Sequence, residues 1–172
     1  RGLKRRLAKS EKIEFNSLRI QNFLYRPFTK TKVYFDRPVN EYVYKWDNLL
    51  PEKSLDNKFI YISCKGTNQK LSVLIGEQIV DAHFNGDTQC FPLYFFEYRK
   101  NNNPSLFDIS EDSEFVRRDG VSDFIRDSAI NAYGKNVGKE DIFYYVYGIL
   151  HSQDYRDTFE NDLKKMLPRI PL

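Results

Sequence analysis

Lys58-Phe59-Ile60-Tyr61-Ile62-Ser63 and Leu71-Ser72-Val73-Leu74-Ile75 are the two stretches that decide the fold class. Both are short, rich in aromatic and β-branched residues, and bounded by polar breakers, which is the composition of strands. Gly66-Thr67-Asn68-Gln69 between them has turn composition. The pair therefore predicts a β-hairpin.

Working outward, Lys32-Val33-Tyr34-Phe35 reads as a strand ended by Asp36-Arg37-Pro38. Residues 12–15 alternate and predict a brief strand, and residues 78–83 and 90–97 add two more. A short helix is expected at residues 3–9. Asn16 or Ser17 is placed to cap a helical turn leading to Phe23-Leu24-Tyr25. About five short strands in the first hundred residues argue for an antiparallel sheet, not a βαβ array.

Composition shifts near residues 100–113, where Lys100-Asn101-Asn102-Asn103-Pro104-Ser105 reads as a loop. Beyond it the apolar spacing turns helical. Val121, Phe124, Ile125, Ala129, Ala132 and Tyr133 form one stripe, with Gly134 as its stop. Ile142, Phe143, Val146, Ile149 and Leu150 form the next. Ser152 then caps a third helix carrying Tyr155, Phe159, Leu163, Met166 and Leu167, halted before Pro168. Such stripes are core faces before they are ligand grooves. The expected fold class is α+β, a mostly antiparallel β-sheet region followed by a helical region. Residues 1–110 form the β-rich part, and residues 111–172 form a helical part packing on it.

The chain has 172 residues, 41% hydrophobic and 30% charged, enough for a packed core and too apolar for wholesale disorder. No apolar run approaches the roughly 20 residues that span a bilayer. The opening RGLKRRLAKSEK has no apolar stretch of the kind a signal peptide needs. Cys64 and Cys90 are too few for a disulfide framework or a four-thiolate zinc site, so a reducing, cytoplasmic setting is expected. The start at Arg1 suggests a piece of a longer polypeptide.

Net charge is only +3, but it is unevenly spread. Residues 1–47 carry a balance of +7, residues 48–100 are neutral, and residues 101–172 carry −4. The basic end is suited to a polyanion.

Catalytic signatures are missing. There is no G-x-x-x-x-G-K-[ST] loop, no G-x-G-x-x-G after a strand, no G-x-S-x-G elbow and no H-E-x-x-H. The nearest metal-like cluster is Asp81 and His83 with Asp87 and Cys90, and it reads better as a loop rim holding a hydrogen-bonded histidine. His151 reads as a cation at a helix C-terminus, not as a general base. Asp108, Glu111, Asp112 and Glu114 read as a solvated acidic loop.

What the chain does carry is Tyr25-Arg26-Pro27-Phe28-Thr29-Lys30-Thr31-Lys32-Val33-Tyr34-Phe35-Asp36-Arg37-Pro38, which interleaves cations with aromatics. In a strand, Lys30, Lys32 and Tyr34 share one face, with Thr31, Val33 and Phe35 toward the core. A row of exposed cations suits phosphates, and Arg26 has the fork to hold one bidentately. The plain alternative is an edge strand guarded by lysines. The Lys65-to-Lys70 turn places Lys65, Asn68, Gln69 and Lys70 at a hairpin tip, where amide side chains can read base edges. An ordinary polar turn is its alternative. Asn85-Gly86-Asp87-Thr88-Gln89 is a third polar loop, expected beside the second.

Taken together, these residues resemble a known family. Tyr25-Arg26-Pro27-Phe28 with Tyr34-Phe35-Asp36-Arg37-Pro38 resembles a stretch that follows the methyltransferase core in large restriction–modification polypeptides. Leu71 to Ile75 and Asp81-Ala82-His83-Phe84-x-Gly86-Asp87-x-Gln89-Cys90-Phe91-Pro92-Leu93-Tyr94 continue it. So do residues 140–152 and the run from Tyr155-Arg156 to Leu167-Pro168-Arg169-Ile170-Pro171. The whole resembles the C-terminal specificity domain of Type ISP restriction enzymes. The chain departs from that pattern at Thr29, where the family has Asp.

The resemblance implies a parent that carries a nuclease, a helicase-like ATPase, an adenine N6-methyltransferase and a target-recognition domain. This chain resembles only the last, and the methyltransferase's Asn-Pro-Pro-Tyr motif is absent. The family runs on past Pro-Arg-Ile-Pro with another aromatic helix, so a further packing layer is expected there. The implied function is recognition of a short asymmetric duplex site. Its partners are double-stranded DNA and the methyltransferase and helicase domains of the same polypeptide, with no membrane. No cofactor is expected in this piece, while the parent uses S-adenosylmethionine, ATP and Mg. Charge and loop placement nominate Arg26, Lys30, Lys32 and Arg37 for phosphates, and Lys65, Asn68, Gln69 and Lys70 for base edges. Two other classes compete with this reading. One is an interdomain coupler that touches DNA little, and the other is a metal nuclease built on Asp81 or Asp87.

Overall fold

The computed structural model describes residues 2–40, 44–51, 55–63, 70–99 and 115–171. The elements run in chain order as helix α1 (Gly2–Ala8), a 3-10 turn (Ser17–Arg19), β1 (Ile20–Arg26), β2 (Thr29–Tyr34), the single-turn α2 (Trp46–Leu49), β3 (Phe59–Ser63), β4 (Ser72–Gly76), β5 (Ile79–Val80), β6 (Thr88–Pro92), β7 (Tyr94–Tyr98), β8 (Phe115–Asp119), α3 (Asp123–Tyr133), α4 (Lys139–His151), α5 (Gln153–Thr158) and α6 (Glu160–Leu163). This is the α+β class expected from the sequence.

Strand β3 organises the packing. All five of its residues are buried, so its two faces feed two cores. Phe59 and Tyr61 point into the first, with Leu24, Phe35, Trp46, Leu50, Ile79, Val80 and Phe84. Ile60 and Ile62 point into the second, with Val73, Leu93, Phe143, Leu150, Tyr155 and Leu163. A strand buried on both sides needs apolar residues at every position, and F-I-Y-I supplies them. Each such side chain contributes about 1.5–3 kcal/mol on burial.

Two three-stranded sheets make the layers. The first has the order β2-β1-β5, with β1 antiparallel to β2 and parallel to β5. The second has the order β4-β3-β6 and is antiparallel throughout. The first core lies between the sheets, and α4 to α6 cover the far side of the second. β7 and β8 form a separate antiparallel pair.

The hairpin of β3 and β4 forms as predicted, with Phe59 opposite Gly76 and Ser63 opposite Ser72. Its turn, like the polar cluster at 100–105 and the acidic residues 108–114, lies outside the described residues.

Several expectations are corrected. Residues 12–15 form no strand. Phe15 instead stacks on Tyr34, with ring centroids 5.3 Å apart. Asn16 does cap a helical turn, the 3-10 turn Ser17–Arg19, accepting from the Leu18 N–H at 2.9 Å, and Phe23-Leu24-Tyr25 beyond it are strand β1. The strand at 78–83 shrinks to Ile79–Val80, because the chain turns at Asp81 to bury Phe84. The strand at 90–97 is two strands broken at Leu93. The Leu93 N–H donates to the Lys58 carbonyl at 2.8 Å, and its carbonyl accepts from the Gly120 N–H at 2.7 Å. When the described chain resumes at Phe115 it begins with β8, paired with β7, rather than with a helix. The helix begun at Ser152 is divided at Phe159 (φ −108°, ψ 17°), so Met166 and Leu167 lie beyond α6.

The helix ends follow local chemistry. Ser152 Oγ accepts from the Tyr155 N–H, and Ser122 Oγ from the Ile125 N–H, each at 3.4 Å. Asp141 takes the Gly138 N–H at 2.8 Å to open α4. Gly134 stops α3 at φ 102° as expected. The α3 stripe is only half core, however. Ala129 is buried, while Phe124 and Tyr133 face solvent.

Candidate nucleic-acid interface

Strand direction brings three separate polar segments to one end of the molecule. β1 ends at Arg26 and turns through Pro27 and Phe28 into β2, with Arg26 opposite Thr29. β5 runs parallel to β1, so its exit at Asp81 lies beside that turn. β3 ends at Ser63 opposite both Ser72 of β4 and Thr88 of β6. The β1–β2 turn, the 81–87 loop and the Ser63–Ser72 end of the β3–β4 hairpin therefore converge.

Side chains tie this end together. Arg26 Nη1 lies 3.3 Å from Asp81 Oδ1 and 2.6 Å from the Tyr25 carbonyl, and the guanidinium sits 4.1 Å from the Tyr25 ring centroid. Its side chain remains 43% exposed. Asp81 Oδ1 also accepts from the His83 N–H at 2.8 Å. Phe84 anchors the loop in the first core, edge-on to Tyr61 at 5.5 Å. Asn85 Nδ2 donates to Ser72 Oγ, and Ser63 Oγ and Thr88 Oγ1 lie 3.1 Å apart. The third polar loop is thus tied to Ser63 and Ser72, the strand residues that flank the second, whose tip lies outside the described residues.

The nominated residues are distributed unevenly. Lys30 and Lys32 are exposed on β2, opposite Leu24 and Asn22. Among the described residues neither makes an ion pair. Thr31 is exposed as well, since the inner face of β2 closes only at Val33. Val33 packs on the first core and Phe35 is buried in it. Arg37 lies past the opposite end of β2, roughly 17 Å of strand away from the turn, and pairs with Asp47. Lys70 is exposed at the β3–β4 end. Glu160 is held ionised chiefly by its hydrogen bond with Lys164, with Lys70 adding a minor share. Lys65, Asn68 and Gln69 lie outside the described residues.

The residues once considered for metal chemistry are engaged otherwise. His83 Nδ1 lies 3.1 Å from Asp87 Oδ1, both exposed, and Asp81 is held by Arg26. Among the described residues no cluster of three or more His, Cys, Asp or Glu is placed to hold a metal ion. Burial pushes the Cys90 thiol up to about 12, so it is a neutral packing group. His151 is the last residue of α4, edge-on to Tyr147 at 4.6 Å.

An open groove of about 1720 Å³ separates β1 and β2 from β6 and β7, with Phe23, Val33, Trp46 and Phe95 among its walls. Its lining includes Asp81, Asp87 and Glu97 against the single lysine Lys45. That balance does not suit phosphate, so the cationic face of β2 and not this groove is the candidate surface.

Sequence reasoning missed two polar groups that tie distant segments of the fold together. Asn57 is buried and makes four hydrogen bonds joining the end of α2, the start of β3 and β7. Lys139 bridges Asp119 at 2.8 Å and Asp123 at 2.6 Å, which raises its own pKa and lowers that of Asp123. Neither carries a sequence signal, since isolated polar residues look alike before packing.

The family model for the Type ISP C-terminal specificity domain matches residues 1–172. The chain belongs to this family. Among solved structures, the specificity domain is similar to the ATP-dependent Type ISP restriction-modification enzyme LlaBIII bound to DNA, at 29% identity and a TM-score of 0.80 over 99% of this chain. It is similar to a nuclease-deletion mutant of the Type ISP enzyme LlaGI in complex with a DNA substrate mimic, at 35% identity and 0.74 over 99%. It is also similar to the DrdV–DNA complex, at 27% identity and 0.79 over 95%. The matched regions make up 10%, 11% and 15% of those chains. No match was found among curated proteins. The specificity domain is not a catalytic unit, and none of its described helices is long and apolar enough to cross a membrane.

Proposed function

We propose that this chain is the sequence-specific double-stranded DNA recognition module of a single-chain restriction–modification enzyme. It presents a short target site to an adenine N6-methyltransferase and an ATP-driven motor in the same polypeptide. The observation that carries this reading is the convergence of the β1–β2 turn, the 81–87 loop and the β3–β4 end, beside the exposed lysines Lys30 and Lys32. Family membership and likeness to DNA complexes support it.

Lys30 and Lys32 grip phosphates. Arg26 stiffens the turn through Asp81 and offers its exposed edge to the backbone. Lys70, with Lys65, Asn68 and Gln69, reaches for base edges. Arg37 takes part only if the duplex runs the length of β2. Recognition belongs to the β-rich part, residues 1–110, and the helical part, residues 111–172, supports it, with β8 joining the two through β7. Exposed Phe124 and Tyr133 on α3 suit contact with the methyltransferase and helicase domains. S-adenosylmethionine, ATP and Mg are assigned to those domains, and the setting is cytoplasmic.

The test is selection from a pool of random duplexes at two salt concentrations. Enrichment of one short motif establishes recognition. Salt-sensitive retention without enrichment means that the backbone is gripped and the bases are read elsewhere in the polypeptide. Absence of retention at low salt overturns the proposal in favour of an interdomain coupler.

A further inference from the structure

The β1–β2 turn presents an aromatic ring where a turn residue should be small and polar. Phe28 is 93% exposed, the most exposed of the large hydrophobic side chains among the described residues. It also sits at φ 68°, in the left-handed region. A bulky side chain is disfavoured there, and Gly or Asn would satisfy the turn better. Burial does not compensate, because the ring touches almost nothing in its own fold. A strained, solvent-facing aromatic is a feature that the fold alone does not explain.

Its surroundings indicate what the ring is for. Pro27 fixes the backbone immediately before it. Arg26, the strand residue that leads into the turn, is held by Asp81, the Tyr25 carbonyl and the Tyr25 ring and lies opposite Thr29, the residue that leaves it. The ring therefore projects from a stiff support. Lys30 and Lys32 follow it along one face of β2. They are roughly 7 Å apart along the strand, about two base-pair rises of 3.4 Å. Cations at that pitch bring the turn against a nucleic-acid backbone, where an apolar wedge can enter a base step.

We propose that Phe28 is an intercalating wedge. On the reading that this domain binds duplex DNA, Lys30 and Lys32 seat the turn on the phosphates, and the Phe28 ring stacks into one base step and unstacks it. The preformed turn lowers the ordering cost of insertion.

The test compares Phe28→Asn and Phe28→Trp with the wild type in the full-length protein. The probe is the duplex pool retained in the selection above. Affinity is measured across a salt series, and unstacked thymines are detected by permanganate. Asn accepts the left-handed backbone, so Phe28→Asn should fold at least as stably, checked by thermal melting. It should bind about 10-fold more weakly at an unchanged salt slope, and the permanganate signal should vanish. Phe28→Trp should keep both affinity and signal. Wild-type affinity and signal in Phe28→Asn would overturn the wedge while leaving DNA binding intact. If the wild type shows no salt-dependent retention, DNA recognition and the wedge fall together.

Discussion

The side-chain amide of Asn57 pairs with the backbone of Tyr94 in both directions. Its Nδ2 donates to the Tyr94 carbonyl at 2.7 Å, and its Oδ1 accepts from the Tyr94 N–H at 3.0 Å. The same amide donates to the Leu49 carbonyl at 2.9 Å and accepts from the Lys58 N–H at 2.8 Å. All the hydrogen-bonding capacity of a buried side chain is thereby used to hold three chain segments together. Asn57→Asp turns the two donor contacts into a carboxylate facing two carbonyls. It should cost about 3 kcal/mol or more, read as a lower midpoint in urea unfolding. A loss below about 1 kcal/mol would show that the amide is not a structural clamp.

Gly120 should tolerate no side chain. A Cβ placed there would lie 2.1 Å from the Pro92 carbonyl oxygen and 3.1 Å from that of Leu93. Both are backbone atoms at the break between β6 and β7, so relief requires moving a strand. Gly120→Ala should destabilise the fold by about 2–3 kcal/mol and lower the melting temperature. An unchanged melting temperature would mean that the strand break is more pliant than its hydrogen bonds imply.

Lys30→Ala and Lys32→Ala should each reduce the slope of log K against log salt by about 1, and together by about 2. The weakening should be alike for all duplexes, because phosphate contacts carry no sequence information. Arg37→Ala is the control at the far end of β2. An equal effect there would mean that the duplex follows the whole strand. Unchanged slopes for both lysine variants would remove β2 from the interface.

His151 makes stability depend on pH. Desolvation and the nearby Arg156 lower its pKa, opposed by a hydrogen bond with the Val73 backbone. Below the ordinary histidine pKa near 6.5 the unfolded chain takes up the proton more readily. Stability present at neutral pH is therefore lost as pH falls through the range below about 6.5. His151→Gln should flatten the fall in melting temperature between about pH 7 and 5. An identical slope in the variant would locate the dependence elsewhere; the lowered carboxylates Asp123 and Glu160 act only at lower pH, below the ordinary carboxylate range.

The strand pattern was readable where composition and burial agree. F-I-Y-I reads as a strand because it is β-branched and aromatic, and it is one. Gly134 and Ser152 read correctly as helix stop and cap, because capping uses hydrogen bonds within a few residues. Leu93 was not readable as a break, since its partners Lys58 and Gly120 are 35 and 27 residues away in sequence. β8 was missed because Phe115 to Asp119 is rich in charge, and its strand state depends on pairing with β7. The cationic run at Lys30 and Lys32 was legible, but the fixing of Arg26 by Asp81 was not, as it spans 55 residues.

The sequence by itself determined the α+β class, the local caps, the basic character of the first 47 residues and the family. Each of these rests on neighbouring residues or on the chain's own pattern. Tertiary structure alone decided that β5 runs parallel to β1, that β3 is shared by two cores, and that the β1–β2 turn and the 81–87 loop meet the Ser63–Ser72 end of the β3–β4 pair. It also left Phe28 bare on a strained turn while Phe84 was drawn inside. The physical reason is that burial and strand pairing are settled by contacts between distant segments. Two phenylalanines of equal hydrophobicity were assigned opposite fates by which backbone could reach the core.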